Sequence, residues 1–111
     1  MNNPRKYDVV LNAIDYISKN FPQKLTLESI SQQSGYSKFH FTRLFKEQTG
    51  FTVIEYINTV RCNNSKLLLK EKNIPISRVA TECGFENTSY FAKEFRRQFN
   101  ISPSEYRKLH K

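Results

Sequence analysis

The chain has 111 residues, enough for one domain with a hydrophobic core but too few for a separate catalytic domain beside it. Eighteen Lys and Arg against ten Asp and Glu give a formal net charge of +8 and a pI near 9.7. This balance favours a polyanionic partner, nucleic acid first, although charge alone does not identify one. With no secretion signal and no apolar stretch of membrane-spanning length, we expect a cytoplasmic protein without a membrane partner.

The residue pattern does not predict a catalytic, metal or cofactor site. Cys62 and Cys83 are the only cysteines and lie far apart, with no Cys or His nearby at a metal-ligand spacing. We expect them to be reduced, partly buried thiols. Because catalytic triads, carboxylate pairs and phosphate-binding glycine loops are also missing from the sequence, we predict a protein that is not an enzyme and uses no cofactor.

The first half of the chain predicts three helices. Apolar residues at three- and four-residue intervals indicate an amphipathic helix over residues 7–20. Thr26 can cap a short helix over 27–33, which ends near Gly35. The third helix is expected over Lys38–Thr49, with a cap at Ser37 and a buried face made of Phe41, Leu44 and Phe45.

The second half predicts a long helix followed by three shorter ones. Thr52 and Glu55 have the spacing of a capping box, and the next Pro or Gly is Pro75, so a helix of about 18 residues, roughly 27 Å, should begin there. The later helices are expected over 76–83, over Thr88–Phe99 with a cap at Asn87, and after a second capping box formed by Ser102 and Glu105. The predicted fold is therefore all-α, with seven helices and no strand.

The two halves repeat one another. Gly84 follows Gly35 by 49 positions, whereas Phe91 follows Phe41 by 50, so the second copy has one extra residue after its glycine. Each copy consists of a short helix, a glycine-containing turn and a second helix. This is the build of a helix-turn-helix, which places its second helix in a DNA major groove.

The repeat predicts one DNA-binding domain over residues 1–111 with an internal division. We expect a first helix-turn-helix subdomain over 7–51, a linker helix over 52–72 and a second helix-turn-helix subdomain over 73–109.

Two motifs carry a family resemblance: the run from Ser37 to Lys46, and the run from Gly84 to Arg107. Together they resemble the DNA-binding domain of AraC/XylS-family bacterial transcription regulators, and the resemblance extends from about Tyr7 to Arg107. It implies two recognition helices, about Lys38–Thr49 and Thr88–Phe99, in adjacent major grooves on one side of the duplex. By position, it implies base contacts from Phe39, Thr42, Arg43, Thr88, Ser89, Ala92 and Lys93.

The chemistry supports these residues unequally. Arg43 can donate two hydrogen bonds to guanine, although a phosphate contact is the alternative. Phe39 can meet a thymine methyl or a sugar edge, or instead wedge against other helices, and the hydroxyls of Thr42 and Ser89 can contact bases or water. Because Ala92 offers only a methyl group, we expect the second helix to contact fewer bases than the first and to depend more on DNA shape.

Contacts to the DNA backbone are expected from a set of basic residues and one helix cap: Lys24, Ser37, Lys38, Lys46, Arg96 and Arg97. The expected partners are a double-stranded promoter site and RNA polymerase. The fragment itself should be a monomer, with dimerisation possible through an attached domain. Two alternatives remain open, a helical protein-interaction adaptor and an architectural DNA binder without sequence preference.

Overall fold

Helices account for all the regular secondary structure in residues 6–110, the part of the chain that this computed structural model describes. Within that range the chain forms seven helices and no strand, so the predicted all-α fold is confirmed. The prediction of a domain over 1–111 extends outside the described residues at both ends. The helices are α1 Lys6–Asn20, α2 Leu27–Ser34, α3 Lys38–Thr49, α4 Val53–Leu69, α5 Ile76–Glu82, α6 Thr88–Phe99 and α7 Pro103–Leu109.

The helix boundaries follow the capping residues. The predicted capping box is present at the start of α4, where the Glu55 amide donates to Thr52 Oγ1 at 3.1 Å and the Thr52 amide donates to Glu55 Oε1 at 2.9 Å. α4 has 17 residues, about 26 Å in length. α5 ends at Glu82, one residue earlier than predicted, because Cys83 leaves the helical conformation. The chain divides into two compact units within α4, between Ile57 and Asn58.

The first unit, up to Ile57, contains α1, α2, α3 and the start of α4. The Phe45 ring packs against Phe41 and Tyr56, with ring centroids 5.9 and 5.5 Å away. α2 begins at a capping box between Thr26 and Ser29. The buried apolar side chains of this unit are Val9, Val10, Ala13, Ile17, Ile30, Phe41, Leu44, Phe45, Val53 and Ile57.

The second unit, from Asn58 onward, contains the rest of α4 and α5 to α7. Phe95 lies at its centre, and its ring packs against those of Phe91, Phe99 and Tyr106. From α7, Arg107 Nε donates to the Leu69 carbonyl oxygen at 2.7 Å and so satisfies a carbonyl at the end of α4. The buried core residues are Cys62, Leu69, Val79, Ala80, Cys83, Phe85, Phe91 and Phe95.

The turns of the two units differ by one residue, as the sequence spacing predicts. Gly35 and Gly84 both have positive φ, 76° and 99°, in the region that glycine adopts without strain. In the first unit Tyr36 alone separates the glycine from the Ser37 cap, whereas two residues separate Gly84 from the Asn87 cap. The longer turn buries Phe85, which is 3% exposed.

Candidate nucleic-acid interface

The start of α3 is fixed by Ser37, whose Oγ accepts a hydrogen bond from the His40 amide at 3.1 Å. A capping serine uses its oxygen as an acceptor while its own hydroxyl proton remains able to donate. Ser37 can therefore cap the helix and donate to a phosphate oxygen at the same time.

The outward face of α3 carries an aromatic ring next to a guanidinium. Phe39 is 83% exposed, and Arg43, one turn further along, is also exposed. Within residues 6–110 no hydrogen bond or ion pair engages the Arg43 guanidinium. An open groove of about 490 Å³ runs along this face and is lined by Leu27, Lys38, Phe39, Thr42, Arg43, Lys46 and Thr52.

Thr42 lies between Phe39 and Arg43 on this face, and its hydroxyl proton is already used in a hydrogen bond. Its Oγ1 donates to the Lys38 carbonyl oxygen of its own helix at 2.7 Å. The oxygen lone pairs and the methyl group remain available, so in this conformation Thr42 can accept a hydrogen bond or contact an apolar group. The sequence alone also allowed the Thr42 hydroxyl to donate a hydrogen bond to a base, which this conformation does not.

The lysines around α3 have partners within the unit. Lys38 Nζ lies 3.0 Å from Glu28 Oε2, and this hydrogen bond lowers the pKa of the Glu28 carboxyl. Lys46 Nζ donates to the Gly50 carbonyl at 3.2 Å and lies 4.0 Å from Glu55 Oε1. Both ammonium groups are largely exposed, so these contacts are weak and a phosphate can replace them. Lys24 is exposed in the loop before α2.

α6 presents a smaller and more polar outward face. The Asn87 side chain caps the helix by accepting from the Tyr90 amide at 2.8 Å. Ser89 and Lys93 are exposed, and in the described part of the chain neither forms a side-chain hydrogen bond or an ion pair. Thr88 and Ala92 are half-buried beside them.

Arg96 and Arg97 differ in how firmly they are held. Arg96 Nη1 lies 3.5 Å from Glu105 Oε1 in an exposed pair. Arg97 donates through Nη2 and Nε to a single carboxylate oxygen of Glu94, at 2.7 and 3.3 Å, and the Glu94 side chain is only 10% exposed. Arg97 is therefore the more constrained of the two.

A buried polar cluster beneath α6 is the main feature that the sequence patterns do not predict. Asn58 of α4 is 4% exposed, and its Nδ2 donates to Tyr90 Oη at 2.8 Å and to Glu94 Oε1 at 3.4 Å. One signal was present in the repeat: Glu94 lies 50 positions after Leu44 and so occupies a core position of the helix. A charged residue at such a position indicates a specific buried partner.

Residues 6–110 contain no candidate for a membrane span or a metal site. No helix there combines the length and the apolar character that crossing a bilayer requires. Nor does that part of the chain bring three or more His, Cys, Asp or Glu side chains together in a metal-binding group.

Comparison with known proteins agrees with this geometry. A family profile described as "Helix-turn-helix domain" matches residues 30–109. The multiple antibiotic resistance protein MarA of Escherichia coli K12 is 37% identical over 94 residues, which cover 85% of this chain and 74% of MarA.

Solved structures give the same fold. A probable AraC family transcriptional regulator from Rhodopseudomonas palustris CGA009 superposes with a TM-score of 0.84 at 25% identity, covering 94% of this chain and 98% of that one. The DNA-binding domain of AdpA, solved in complex with a target DNA, has a TM-score of 0.85 over 98% of this chain and 94% of its own, and at 23% identity it supports the fold alone. The chain belongs to the AraC/XylS family of helix-turn-helix, DNA-binding transcription regulators.

Proposed function

We propose that this regulator binds a specific, asymmetric site on double-stranded DNA, with α3 and α6 as its two recognition helices. The observation that carries the proposal is the exposure of Phe39, 83%, next to the Arg43 guanidinium on the outward face of α3. A large apolar side chain on the second helix of a helix-turn-helix fits a role in the major groove, where base edges present both apolar and polar groups.

The side chains of α3 match distinct base edges. Arg43 can donate two hydrogen bonds to guanine O6 and N7, a contact worth about 1–3 kcal/mol of discrimination. Phe39 can pack against a thymine methyl. Thr42, with its hydroxyl proton engaged by Lys38, is suited to accept from an adenine or cytosine amino group.

The proposed contacts of α6 are fewer. Ser89 and Lys93 can reach hydrogen-bonding groups on bases, whereas Thr88 and Ala92 are half-buried and offer mainly their methyl groups. We therefore propose that direct base contacts are concentrated in the half-site bound by α3. Selection in the other half-site then depends more on the placement of α6 and on DNA shape.

Backbone contacts are proposed for Lys24, Lys38, Lys46, Arg96 and Arg97, and also for the Ser37 hydroxyl. The exposed ion pairs of Lys38, Lys46 and Arg96 can be exchanged for phosphate contacts, and the net charge of +8 favours DNA as the partner. The AdpA complex supports DNA binding by this fold. Subdomains over 7–51 and 73–109, joined by a linker helix over 52–72, remain part of the proposal, as does RNA polymerase as a second partner.

Selection of bound sequences from a random pool of duplex DNA tests the proposed function. The expected result is one asymmetric sequence, bound at least about 10³-fold more tightly than random DNA, with an affinity that falls steeply with salt. A pool without enrichment but with salt-sensitive binding would indicate an architectural binder. Absence of DNA binding at low salt would favour the protein-interaction adaptor.

The role of Phe39 has its own test. Replacing single thymines of the selected site by uracil removes only the methyl group. One such replacement in the half-site of α3 should weaken binding of the wild-type chain, and it should have no further effect on the Phe39→Ala variant. If the two proteins respond equally to every replacement, Phe39 does not contact a thymine methyl.

A further inference from the structure

The contact between α4 and α6 within the second unit buries two polar side chains, whose partners Tyr90 and Arg97 are themselves exposed. Asn58 and Glu94 are 4% and 8% exposed, although each carries a strongly hydrated group. The two hydrogens of the Asn58 amide go to Tyr90 Oη and Glu94 Oε1, and Arg97 pairs with the same carboxylate oxygen from the other side. Each of these contacts depends on direction as well as on distance.

The spacing of the partners turns these bonds into a positional constraint. Tyr90, Glu94 and Arg97 follow one another at helical intervals, so they form one stripe along α6. Asn58 bonds to two successive turns of that stripe. Rotation of α6 about its axis, or a shift along it, would lengthen at least one of the two bonds.

The same constraint acts on the outward face of the helix. Ser89 and Lys93 immediately precede Tyr90 and Glu94, so any rotation of α6 that displaces Tyr90 and Glu94 moves these two side chains by the same angle. The packing of the rings of Phe91 and Phe95 is less directional than hydrogen bonds. The polar cluster therefore adds a directional constraint on the setting of α6 to the packing of the apolar core.

We propose that Asn58 is a positioning residue, which selects the bases contacted by α6 by fixing that helix through Tyr90 and Glu94. The proposal rests on the function proposed above and adds a residue on α4 that contacts Tyr90 and Glu94 of α6. It assigns base selection in the second half-site to a buried contact and not only to exposed side chains.

The first unit holds an apolar residue at the position equivalent to Glu94. The residue 50 positions before Glu94 is Leu44, which is buried and apolar. Burying paired charges stabilises a fold little or not at all compared with apolar residues of similar volume. A role in specificity accounts for the buried pair of Asn58 and Glu94 in the second unit.

The test removes the polar pair in the double variant Asn58→Val/Glu94→Leu, in which position 94 takes the leucine of the first unit. Binding is measured to the selected DNA site and to a series of sites with single base-pair changes in each half. A base-pair change in the wild-type site should weaken binding roughly 5–150-fold. In the double variant the penalties in the half-site of α6 should fall by at least about threefold or move to other bases, and those in the half-site of α3 should be unchanged.

Two further variants separate positioning from general structural damage. Glu94→Gln keeps an oxygen that accepts from Asn58, so its base preferences should stay close to those of the wild type. Asn63→Val makes the same Asn→Val change at an exposed position of α4 and should leave both half-site profiles unchanged. Thermal unfolding of all variants shows whether each is folded at the binding temperature.

The outcomes distinguish this inference from the proposed function. If the folded double variant keeps the wild-type penalties in both half-sites, Asn58 is not a positioning residue, although the chain still binds specific DNA. If its penalties change equally in both halves, the effect is not confined to α6 and the inference is also wrong. If the wild-type chain shows no sequence preference at all, the proposed function has already failed.

Discussion

The two units repeat one helix-turn-helix but differ in what surrounds the shared core. Phe41 and Phe45 correspond to Phe91 and Phe95 at a separation of 50 positions, and all four rings are fully buried. In contrast, the buried Leu44 of the first unit corresponds to Glu94 in the second. The two units therefore share the aromatic stripe, whereas the position beside it holds an apolar side chain in one and a paired polar side chain in the other.

The outward faces differ more strongly. Three positions of α3 hold an exposed aromatic ring, a hydroxyl and a guanidinium, on Phe39, Thr42 and Arg43. The residues 50 positions later in α6 carry a hydroxyl, a methyl group and an ammonium, on Ser89, Ala92 and Lys93. An arginine can form a bidentate contact with guanine in a fixed geometry, whereas a lysine is a flexible point charge. The two helices are therefore expected to contribute unequally to base selection.

The largest expected difference between the units is in thiol chemistry, because both cysteines are in the second. Burial raises the pKa of Cys62 to about 12 and that of Cys83 to about 11. At pH 8, alkylation of the native chain should be slower than that of the urea-unfolded chain by roughly 10³-fold or more, since labelling requires opening of the unit. Mass spectrometry after timed quenching measures both rates.

The same pKa shifts predict the direction of an alkaline effect. A thiol whose pKa is raised by folding contributes stability below its ordinary pKa, near 9, and loses that contribution as the pH rises through the folded value. The second unit should therefore lose stability as the pH rises from about 9 to about 12. Equal labelling rates in the native and unfolded chains at pH 8 would contradict the burial of both thiols.

Truncation of a core ring should be the next largest effect. Phe45→Ala and Phe95→Ala should each lower the free energy of unfolding by about 3–5 kcal/mol. The cost should be higher at Phe95, which packs against three aromatic rings, whereas Phe45 packs against two. Urea unfolding followed by circular dichroism gives both values.

Phe39→Ala is the matched control for these two variants. It removes the same side chain from an exposed position, so it should change stability by no more than about 0.5 kcal/mol. A larger loss of stability for Phe39→Ala than for Phe45→Ala would mean that the Phe39 ring packs against other helices.

Much of this fold could be predicted from sequence because its determinants are local. Ser37 and Asn87 fix the starts of α3 and α6, and both helices have the predicted bounds, Lys38–Thr49 and Thr88–Phe99. Reciprocal capping boxes, at Thr52 with Glu55 and at Ser102 with Glu105, are visible as three-residue spacings. These interactions join neighbours in the chain, so a pattern identifies both partners.

The polar cluster is not predictable in the same way. Asn58 and Glu94 are separated by 36 residues, and no periodicity relates an asparagine on one helix to a carboxylate on another. The repeat shows that Glu94 occupies a core position, but not what neutralises it. Similarly, the sequence identifies Thr42 as an outward-facing hydroxyl, whereas only the structure shows that its proton is donated to Lys38.

Arginine and lysine at equivalent positions provide the test of unequal base contacts. Arg43→Ala should weaken binding to the selected site by about 5–150-fold, corresponding to about 1–3 kcal/mol, and relax the preference for guanine. Lys93→Ala should have a smaller effect on affinity and on base preference, because a lysine forms no bidentate contact with a base. Filter binding at several salt concentrations measures both.

Arg43→Lys is the control because it keeps the charge and removes the bidentate geometry. It should lose most of the guanine preference while keeping the salt slope. If Arg43→Lys binds with wild-type affinity and preference, Arg43 is a phosphate contact, and the expected difference between the two helices loses its main support.

The smallest expected effect concerns the first helix of each helix-turn-helix. Thr26 caps α2 by accepting from the Ser29 amide at 3.0 Å, whereas α5 begins at Pro75 without a side-chain cap. Thr26→Ala should therefore destabilise the protein by about 0.5–2 kcal/mol. Pro75→Ala should cost less than about 1 kcal/mol, because it mainly increases the conformational freedom of the unfolded chain. Urea unfolding of the two variants gives the comparison, and a greater loss at Pro75 would show that α5 depends on its proline more than α2 depends on its capping box.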